Sequence, residues 1–227
     1  MKIVYISSPY FLDCDIPLIS RLQKKADITY VLRLSNSTRK MSMLNIPEIK
    51  KSTGIYHANE FEGLELINRY INLKNLYIDF TAGSTRISYS NVKHVFDLMQ
   101  FVKKNKFDII HITWPLSYYH IPFYCLREKM IMTVHDPLPH SSSRDKLHVF
   151  ERWMSFKMIS KFIILNQTQK EDFINCYKLR KESIYESRLS VYYHLADIKP
   201  KESNESNYLL FFGQISSIRG LIFYVRQ

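Results

Sequence analysis

The fold of this chain is decided by residues 2–34, which read KIVYISSPYFLDCDIPLISRLQKKADITYVLRL. The two ends of this stretch, KIVYIS at 2–7 and ITYVLRL at 28–34, are short apolar runs rich in β-branched residues, which is typical of buried strands. Between them, residues 16–26 place apolar side chains on one helical face, and Asp15 precedes them as an N-cap candidate. A strand, a helix and a strand joined by short connections predict a parallel sheet.

The alternation of strands and helices continues along the chain. FDIIHIT at 107–113 is the clearest further strand, and residues 90–105 repeat apolar side chains at helical spacing before a cluster of lysines. Further strands are predicted at 75–81, 129–136 and 161–166, and further helices at 115–128, 146–160 and 168–178. We therefore predict an α/β fold with a Rossmann-like, doubly wound parallel sheet over residues 1–195.

A polar segment divides this domain from a second apolar stretch. Residues 196–207, ADIKPKESNESN, contain Pro200 and no apolar run, which predicts a linker. YLLFFG follows at 208–213 and reads as a buried strand that ends in a glycine. Residues 208–227 are therefore predicted to begin a second, Rossmann-like unit.

Composition and charge narrow the class of protein. The chain has 227 residues, 46% of them hydrophobic, and a net charge of +11. This positive charge is explained either by anionic binding partners or by a generally lysine-rich composition. Its three cysteines form no paired motif, and no run of about 18 uninterrupted apolar residues occurs. Residues 1–12 are expected to form a strand and not a signal peptide. We expect a cytoplasmic protein, with peripheral contact on the inner face of the membrane as an option.

The two predicted units differ in whether glycines follow their first strand, and such glycines are needed for phosphate binding. The first strand is followed by SSPYFLDCD, without the glycines that let a backbone approach a pyrophosphate. After the strand at 208–212, by contrast, Gly213, Arg219 and Gly220 combine a strand end, a cation and a helix start. Such a combination is typical of an anion site, although a simple turn has the same residues.

Four motifs in a fixed order give the chain a resemblance to a known family. They are FDIIHIT at 107–113, TVHDPLPHS at 133–141, FIILNQTQKEDF at 162–173 and LLFFGQISSIRG at 209–220. Together they resemble a glycosyltransferase of family 4, with two Rossmann-like domains in the GT-B arrangement. The resemblance implies an N-terminal acceptor domain and a nucleotide-sugar donor, with transfer to an acceptor hydroxyl in surface polysaccharide or glycolipid assembly.

The resemblance also assigns a donor site and predicts that it is incomplete. Gly213 and Gly220 match the family's diphosphate-binding loop, Gln214 stands where an arginine is usual, and Arg219 stands where a lysine is usual. The family continues well beyond this point, so the sequence predicts a truncated donor domain and weak or absent transfer by this chain alone. No cofactor is implied, because the nucleotide sugar is a co-substrate.

Catalytic residues are expected after the strand at 129–136. The resemblance places an active-site histidine at His135, followed by Asp136, at the edge where parallel sheets bind ligands. A histidine there can bond sugar hydroxyls and assist proton movement. The alternative is a structural histidine that stabilises a tight HDP turn.

Acceptor-binding residues are expected in loops near the same edge. Asp13, in the loop after the first strand, serves an acceptor hydroxyl or, with Asp15, caps the following helix. His111 and His140 are further acceptor-binding candidates, against roles as a satisfied strand histidine and a solvated loop histidine. The spacing of the histidines fits no zinc motif, so no metal is expected.

An alternative function rests on the basic residues of 144–161. Arg144, Lys146, Arg152, Lys157 and Lys161 alternate there with aromatic side chains. A basic amphipathic helix can lie on anionic lipid, so the chain could be a non-catalytic module that docks on a membrane or on a partner enzyme. No nucleic-acid motif accompanies the charge.

Overall fold

The computed structural model describes residues 1–41, 43–83, 87–138, 146–189 and Tyr192. These residues form an eight-stranded sheet in the order β3-β4-β2-β1-β5-β6-β7-β8, with every neighbouring pair parallel except β3 and β4. The strands are β1 Lys2–Ser7, β2 Asp27–Ser35, β3 Gly54–His57, β4 Leu76–Thr81, β5 Ile109–Ile112, β6 Met130–Val134, β7 Phe162–Ile164 and β8 Ile184–Glu186. The α-helices are α1 Leu12–Leu22, α2 Glu65–Asn68, α3 Tyr89–Lys104, α4 Lys146–Met158 and α5 Lys170–Tyr177.

Helices cover the sheet on both faces, as the doubly wound prediction requires. Alternate residues of a strand point to opposite faces, so β1 contributes Tyr5 to one layer and Ile6 to the other. The first layer contains α1 and α2, and the second contains α3, α4 and α5. The α/β, Rossmann-like fold predicted from the alternation of strands and helices is confirmed.

The strand order reverses beside β1, and this reversal positions the candidate functional site. β1 pairs with β2 on one side and with β5 on the other, so the connections that leave their carboxyl ends diverge. A crevice opens at such a switch point because no crossover covers it, and ligands of open α/β sheets bind there.

Two elements in the amino-terminal half differ from the prediction. The first helix begins at Leu12, not at 16, and Phe11 is its N-cap residue without a side-chain bond. The capping role expected of Asp13 and Asp15 is therefore wrong, since both lie within the first turn. The edge strand β3, which pairs antiparallel with β4, was not predicted.

The predicted helix over 115–128 is also different. The structure has successive 3-10 turns over Tyr118–Lys129. Pro122 supplies no amide hydrogen, and the surrounding aromatic residues are weak helix formers, so a regular α-helix is disfavoured. The strand β8 follows a short 3-10 turn and was not predicted.

The linker predicted at 196–207 and the second unit predicted at 208–227 lie outside the described residues. None of the helices within the described ranges is long and apolar enough to cross a membrane.

Candidate functional site

A cleft of about 240 Å³ opens where the strand order reverses. Its walls come from the carboxyl ends of β1, β2, β4 and β5 and from the residues that follow them. Among the described residues that line it, Arg33 is the only charged one, and Trp114 and Tyr119 add aromatic surface. Seven serine and threonine side chains also line it, namely Ser7, Ser8, Ser35, Thr38, Thr81, Thr113 and Ser117.

Arg33 is held in place by a buried polar cluster behind the cleft. It lies opposite Asp79 in the register of β2 and β4, and its Nε donates to Asp79 Oδ2 at 3.1 Å. Its Nη2 bonds to Nε2 of His120 at 2.9 Å. The other carboxylate oxygen of Asp79 bonds to His94 of α3. Asp79, His94 and His120 are all buried, so the guanidinium is fixed from one side.

The protonation states in this cluster follow from burial and charge. Burial favours the neutral acid of Asp79, but the bond from His94 and the charge of Arg33 outweigh it and hold the Asp79 pKa at about 2. Burial, reinforced by the charge of Arg33, lowers the pKa of His120 well below its usual value. A guanidinium only donates, so neutral His120 accepts through Nε2 and carries its proton on Nδ1.

Side-chain hydroxyls join the strand ends that form the cleft. Ser7 at the end of β1 and Thr113 just after β5 share a hydrogen bond of 2.8 Å. At the end of β2, Ser35 bonds to Ser37 at 2.8 Å and to Thr38 at 3.1 Å. These short contacts fix the spacing of the hydroxyls around Arg33, and hydroxyls can both donate and accept toward a ligand.

A row of contacting rings connects the cleft with His135. The His135 ring lies 4.0 Å from the ring of Phe11 and nearly parallel to it, and Phe11 lies 5.6 Å from Trp114. The indole of Trp114 then stacks at 5.7 Å on His148 of α4. Because Trp114 lines the cleft, His135 lies two rings away from it and not in its wall.

His135 is nonetheless placed at the carboxyl edge of the sheet, as the sequence predicts. It follows β6 and lines an adjacent opening together with Asn166 and Arg188. Burial lowers the His135 pKa to about 4, although the charges of Asp136 and Asp13 partly oppose this. The imidazole is therefore neutral near pH 7. Asp136 is exposed, and Asp13 is half-buried and accepts the amide of Cys14.

His111 lies on the other face of the sheet from Arg33. Its Nε2 bonds to Thr133 Oγ1 at 2.7 Å, and its ring packs 4.5 Å from Tyr5. Burial, with a smaller contribution from His135, lowers the His111 pKa to about 4. It lines a separate cavity of about 280 Å³ beside α1.

Asp15 also borders that cavity, and two tyrosines satisfy it. Tyr5 donates to its Oδ1 at 2.8 Å and Tyr30 to its Oδ2 at 2.9 Å. Burial raises the Asp15 pKa to about 7, and hydrogen bonding from Ser7, Tyr5 and Tyr30 reduces the shift without cancelling it. This is the reason that Asp15 does not cap α1: its side chain turns inward to the strands.

The remaining predicted site residues lie outside the described ranges. They are His140, Gly213, Gln214, Arg219 and Gly220, whose roles stay predictions. Sequence reasoning missed Arg33, Asp79, His94 and His120. A signal for the first two was present, because ITYVLRL and NLYIDFT each carry one charge in an apolar strand. The two histidines sit in helical segments without any such signal.

Comparisons with known proteins identify the fold. No protein-family profile and no curated protein matches the chain. The UDP-GlcNAc 2-epimerase of Methanocaldococcus jannaschii has a TM-score of 0.52 at 15% identity, over 82% of this chain and 45% of that one. The same enzyme of Neisseria meningitidis, bound to UDP-GlcNAc, gives 0.52 at 11% identity over the same shares.

A third structure agrees with these two. UDP-N-acetylglucosamine 2-epimerase of Rickettsia bellii has a TM-score of 0.51 at 12% identity and covers 87% of this chain and 46% of that one. The chain thus spans less than half the length of the structures it resembles. At such identities the likeness establishes the fold alone, which is the Rossmann-like α/β domain found in enzymes of the GT-B type.

Proposed function

We propose that this chain is the acceptor-binding part of a glycosyltransferase that takes its donor from a nucleotide sugar and acts in surface polysaccharide or glycolipid assembly. The observation that carries the proposal is the cleft at the strand reversal. Hydroxyl side chains, one cation and an indole surround it, and this mixture suits a saccharide, whose hydroxyls need donors and acceptors and whose ring faces are apolar.

The size of the cleft fits an acceptor better than a whole donor. At about 240 Å³ it is smaller than most ligand sites, which span roughly 300–1,000 Å³. One sugar unit therefore suits it, with the rest of an acceptor extending outward. Trp114 is 38% exposed at its rim and offers a flat surface for a sugar ring.

His135 has a role beside this cleft in the proposed reaction. A neutral imidazole can hydrogen-bond to a donor or acceptor hydroxyl and take up a proton as the hydroxyl attacks. The stacking on Phe11 holds the ring in one orientation. Asp13 and Asp136 contribute negative charge near it, which would stabilise the imidazolium that forms.

The donor part of the proposal combines two supports. A structural neighbour is a nucleotide-sugar enzyme bound to UDP-GlcNAc, although its activity is that of an epimerase. Gly213, Gln214, Arg219 and Gly220 supply the predicted diphosphate loop.

Calorimetric titration of the chain with UDP, GDP and their sugar conjugates tests the donor part. A donor loop that works despite the truncation predicts micromolar binding of one conjugate, at least tenfold weaker in Arg219→Gln and unchanged in Lys93→Gln, an exposed cation on α3. His135→Ala should reduce any sugar transfer and leave nucleotide binding in place. If no nucleotide or conjugate binds, the donor role of this chain is wrong.

A second candidate is a non-catalytic docking module, and the outer face of α4 favours it. Leu147, Phe150 and Trp153 are each nearly half exposed, and the last two stack at 6.2 Å. The basic face expected there is smaller than predicted, since Arg152 is buried and Lys157 donates to the Tyr177 carbonyl.

Vesicle co-sedimentation distinguishes this module from the enzyme. Docking on lipid predicts binding to anionic vesicles that Trp153→Ser abolishes and His135→Ala leaves unchanged. Binding that depends on neither vesicle charge nor Trp153 would exclude this use of α4.

A further inference from the structure

The side chain of Arg33 is more exposed than a purely structural ion pair with Asp79 would require. Its side chain is 28% exposed, whereas that of Asp79 is 1% exposed. The carboxylate thus lies behind the guanidinium, and only the cation reaches the cleft. Nε and Nη2 are bonded to Asp79 and His120, and no described residue bonds to Nη1.

The neighbours of Arg33 fix its direction without exposing a compensating charge. Asp79 is shared between Arg33 and His94, and neutral His120 adds an acceptor. Among the described residues that line the cleft there is no carboxylate. An anionic group in the cleft would therefore meet a pre-oriented cation and surrounding hydroxyl donors, with no acidic side chain in the wall.

From this arrangement we infer that the cleft recognises an anionic saccharide, one that carries a phosphate or a carboxylate, through Arg33. The guanidinium is the group of choice for such oxyanions because its planar donors match two oxygens at once. Asp79 and His120 are positioning residues that hold Arg33 toward the cleft. The inference rests on the proposed function in that both use the same cleft, and it adds the chemical class of the acceptor.

Matched pairs of neutral and charged sugars test the inference by calorimetry on the full chain. The pairs are N-acetylglucosamine against its 1-phosphate, and glucose against glucuronate, with inorganic phosphate as a separate ligand. A charge-assisted hydrogen bond adds roughly tenfold or more in affinity, so we expect at least one anionic sugar to bind about tenfold more tightly than its neutral partner. In Arg33→Gln the ratio of the two affinities should fall to about one.

Two further variants control for stability and charge. Arg33→Gln leaves Asp79 buried without its cation, which is destabilising, so Arg33→Gln with Asp79→Asn removes both charges and should show the same loss of preference. Lys93→Gln removes an exposed cation on α3 and should keep the tenfold ratio.

The outcomes separate this inference from the proposed function. Neutral and charged sugars that bind equally to the unaltered chain would overturn the inference and leave the acceptor cleft standing. A preference that survives in both Arg33 variants would assign recognition to another residue and also overturn it. If inorganic phosphate binds as tightly as the sugar phosphate, the cleft recognises the anion and not the saccharide, and the inference is overturned. Absence of binding by every saccharide would overturn both proposals.

Discussion

At the scale of single residues, Asp15 and Asp79 are both buried in the sheet, but their surroundings shift their pKa values in opposite directions. Two neutral tyrosine hydroxyls satisfy Asp15, and burial still raises its pKa to about 7. Asp79 is equally buried, but His94 and the Arg33 cation bring its pKa down to about 2. The hydrogen bond from His94 and the charge of Arg33 together therefore keep Asp79 ionised at neutral pH, whereas Asp15, which has no cation beside it among the described residues, remains partly protonated there.

Asp79 should make the protein sensitive to acid. Its pKa is lower in the folded chain than the usual 3.8, so its contribution is present above pH 4 and is lost as the pH falls toward 2. The shift corresponds to about 2 kcal/mol. Urea unfolding of Asp79→Asn at pH 7 should show a loss of roughly 3 kcal/mol, since Arg33 loses its buried partner.

Asp97→Asn is the control for this experiment, because it removes an exposed ion pair with Lys93 on α3. We expect little change in unfolding free energy in that variant. Equal effects of the two substitutions would contradict the role given to Asp79.

Asp15 should have the opposite pH dependence. Its folded pKa is raised above 3.8, so between about pH 4 and 7 the folded chain holds a proton that the unfolded chain has released. Stability from this group is therefore greatest below pH 4 and falls as the pH rises toward 7. Asp15→Asn should flatten that part of the stability curve in urea titrations, while the exposed Asp27→Asn should not. An unchanged slope in Asp15→Asn would show that the carboxyl is ionised throughout.

The residues of the candidate site could be predicted only in part from the sequence. The position of His135 after a strand followed from local pattern, because strand ends are marked by composition. Arg33 and Asp79 become a pair only when β2 and β4 align in register, and the sequence separates them by 46 positions. Non-local pairing of this kind has no local signature.

At the scale of elements, α4 has two faces with different roles. Phe156 is 2% exposed and packs against Phe162, Phe173 and Tyr177 at centroid distances of 4.7 to 5.8 Å. Trp153, three residues earlier, is 49% exposed. Leu147 and Phe150 of the same helix are also exposed.

Substitutions on the two faces of α4 should differ clearly in their effect on the free energy of unfolding. Phe156→Ala leaves a cavity among three aromatic rings and should lower the free energy of unfolding by about 3 to 5 kcal/mol. Trp153→Ser on the outer face should change it by no more than about 0.5 kcal/mol. Thermal and urea unfolding of both variants measure the difference. A large loss in Trp153→Ser would show that the outer face is covered within the folded chain.

Elements were predicted best where pattern and packing agree. β1, β2, β4 and α3 were confirmed because strongly apolar or strictly periodic runs match their burial. The short edge strand β3 is stabilised by its pairing with β4. This tertiary contact cannot be predicted from the four residues of β3 alone.

At the scale of the whole molecule, the reversal of strand order beside β1 concentrates the functional groups. It separates the segments after β1 and β5, and it brings Arg33 of β2 to the same opening. The row of rings from Trp114 through Phe11 to His135 then links that opening to the predicted catalytic histidine. The alternation of strands and helices predicts ligand binding at this edge, but it did not indicate which side chains form the wall of the cleft there.

The most direct test of the account uses the two tryptophans as reporters. Trp114 lines the cleft, and Trp153 lies exposed on α4. In ¹H–¹⁵N spectra each indole gives one signal, and Trp153→Phe assigns them. On titration with a saccharide that calorimetry shows to bind, the account predicts that the Trp114 signal shifts with saturation while the Trp153 signal stays in place. A shift of Trp153 alone, or no shift of Trp114 at saturation, would contradict the claim that the cleft at the strand reversal binds the acceptor.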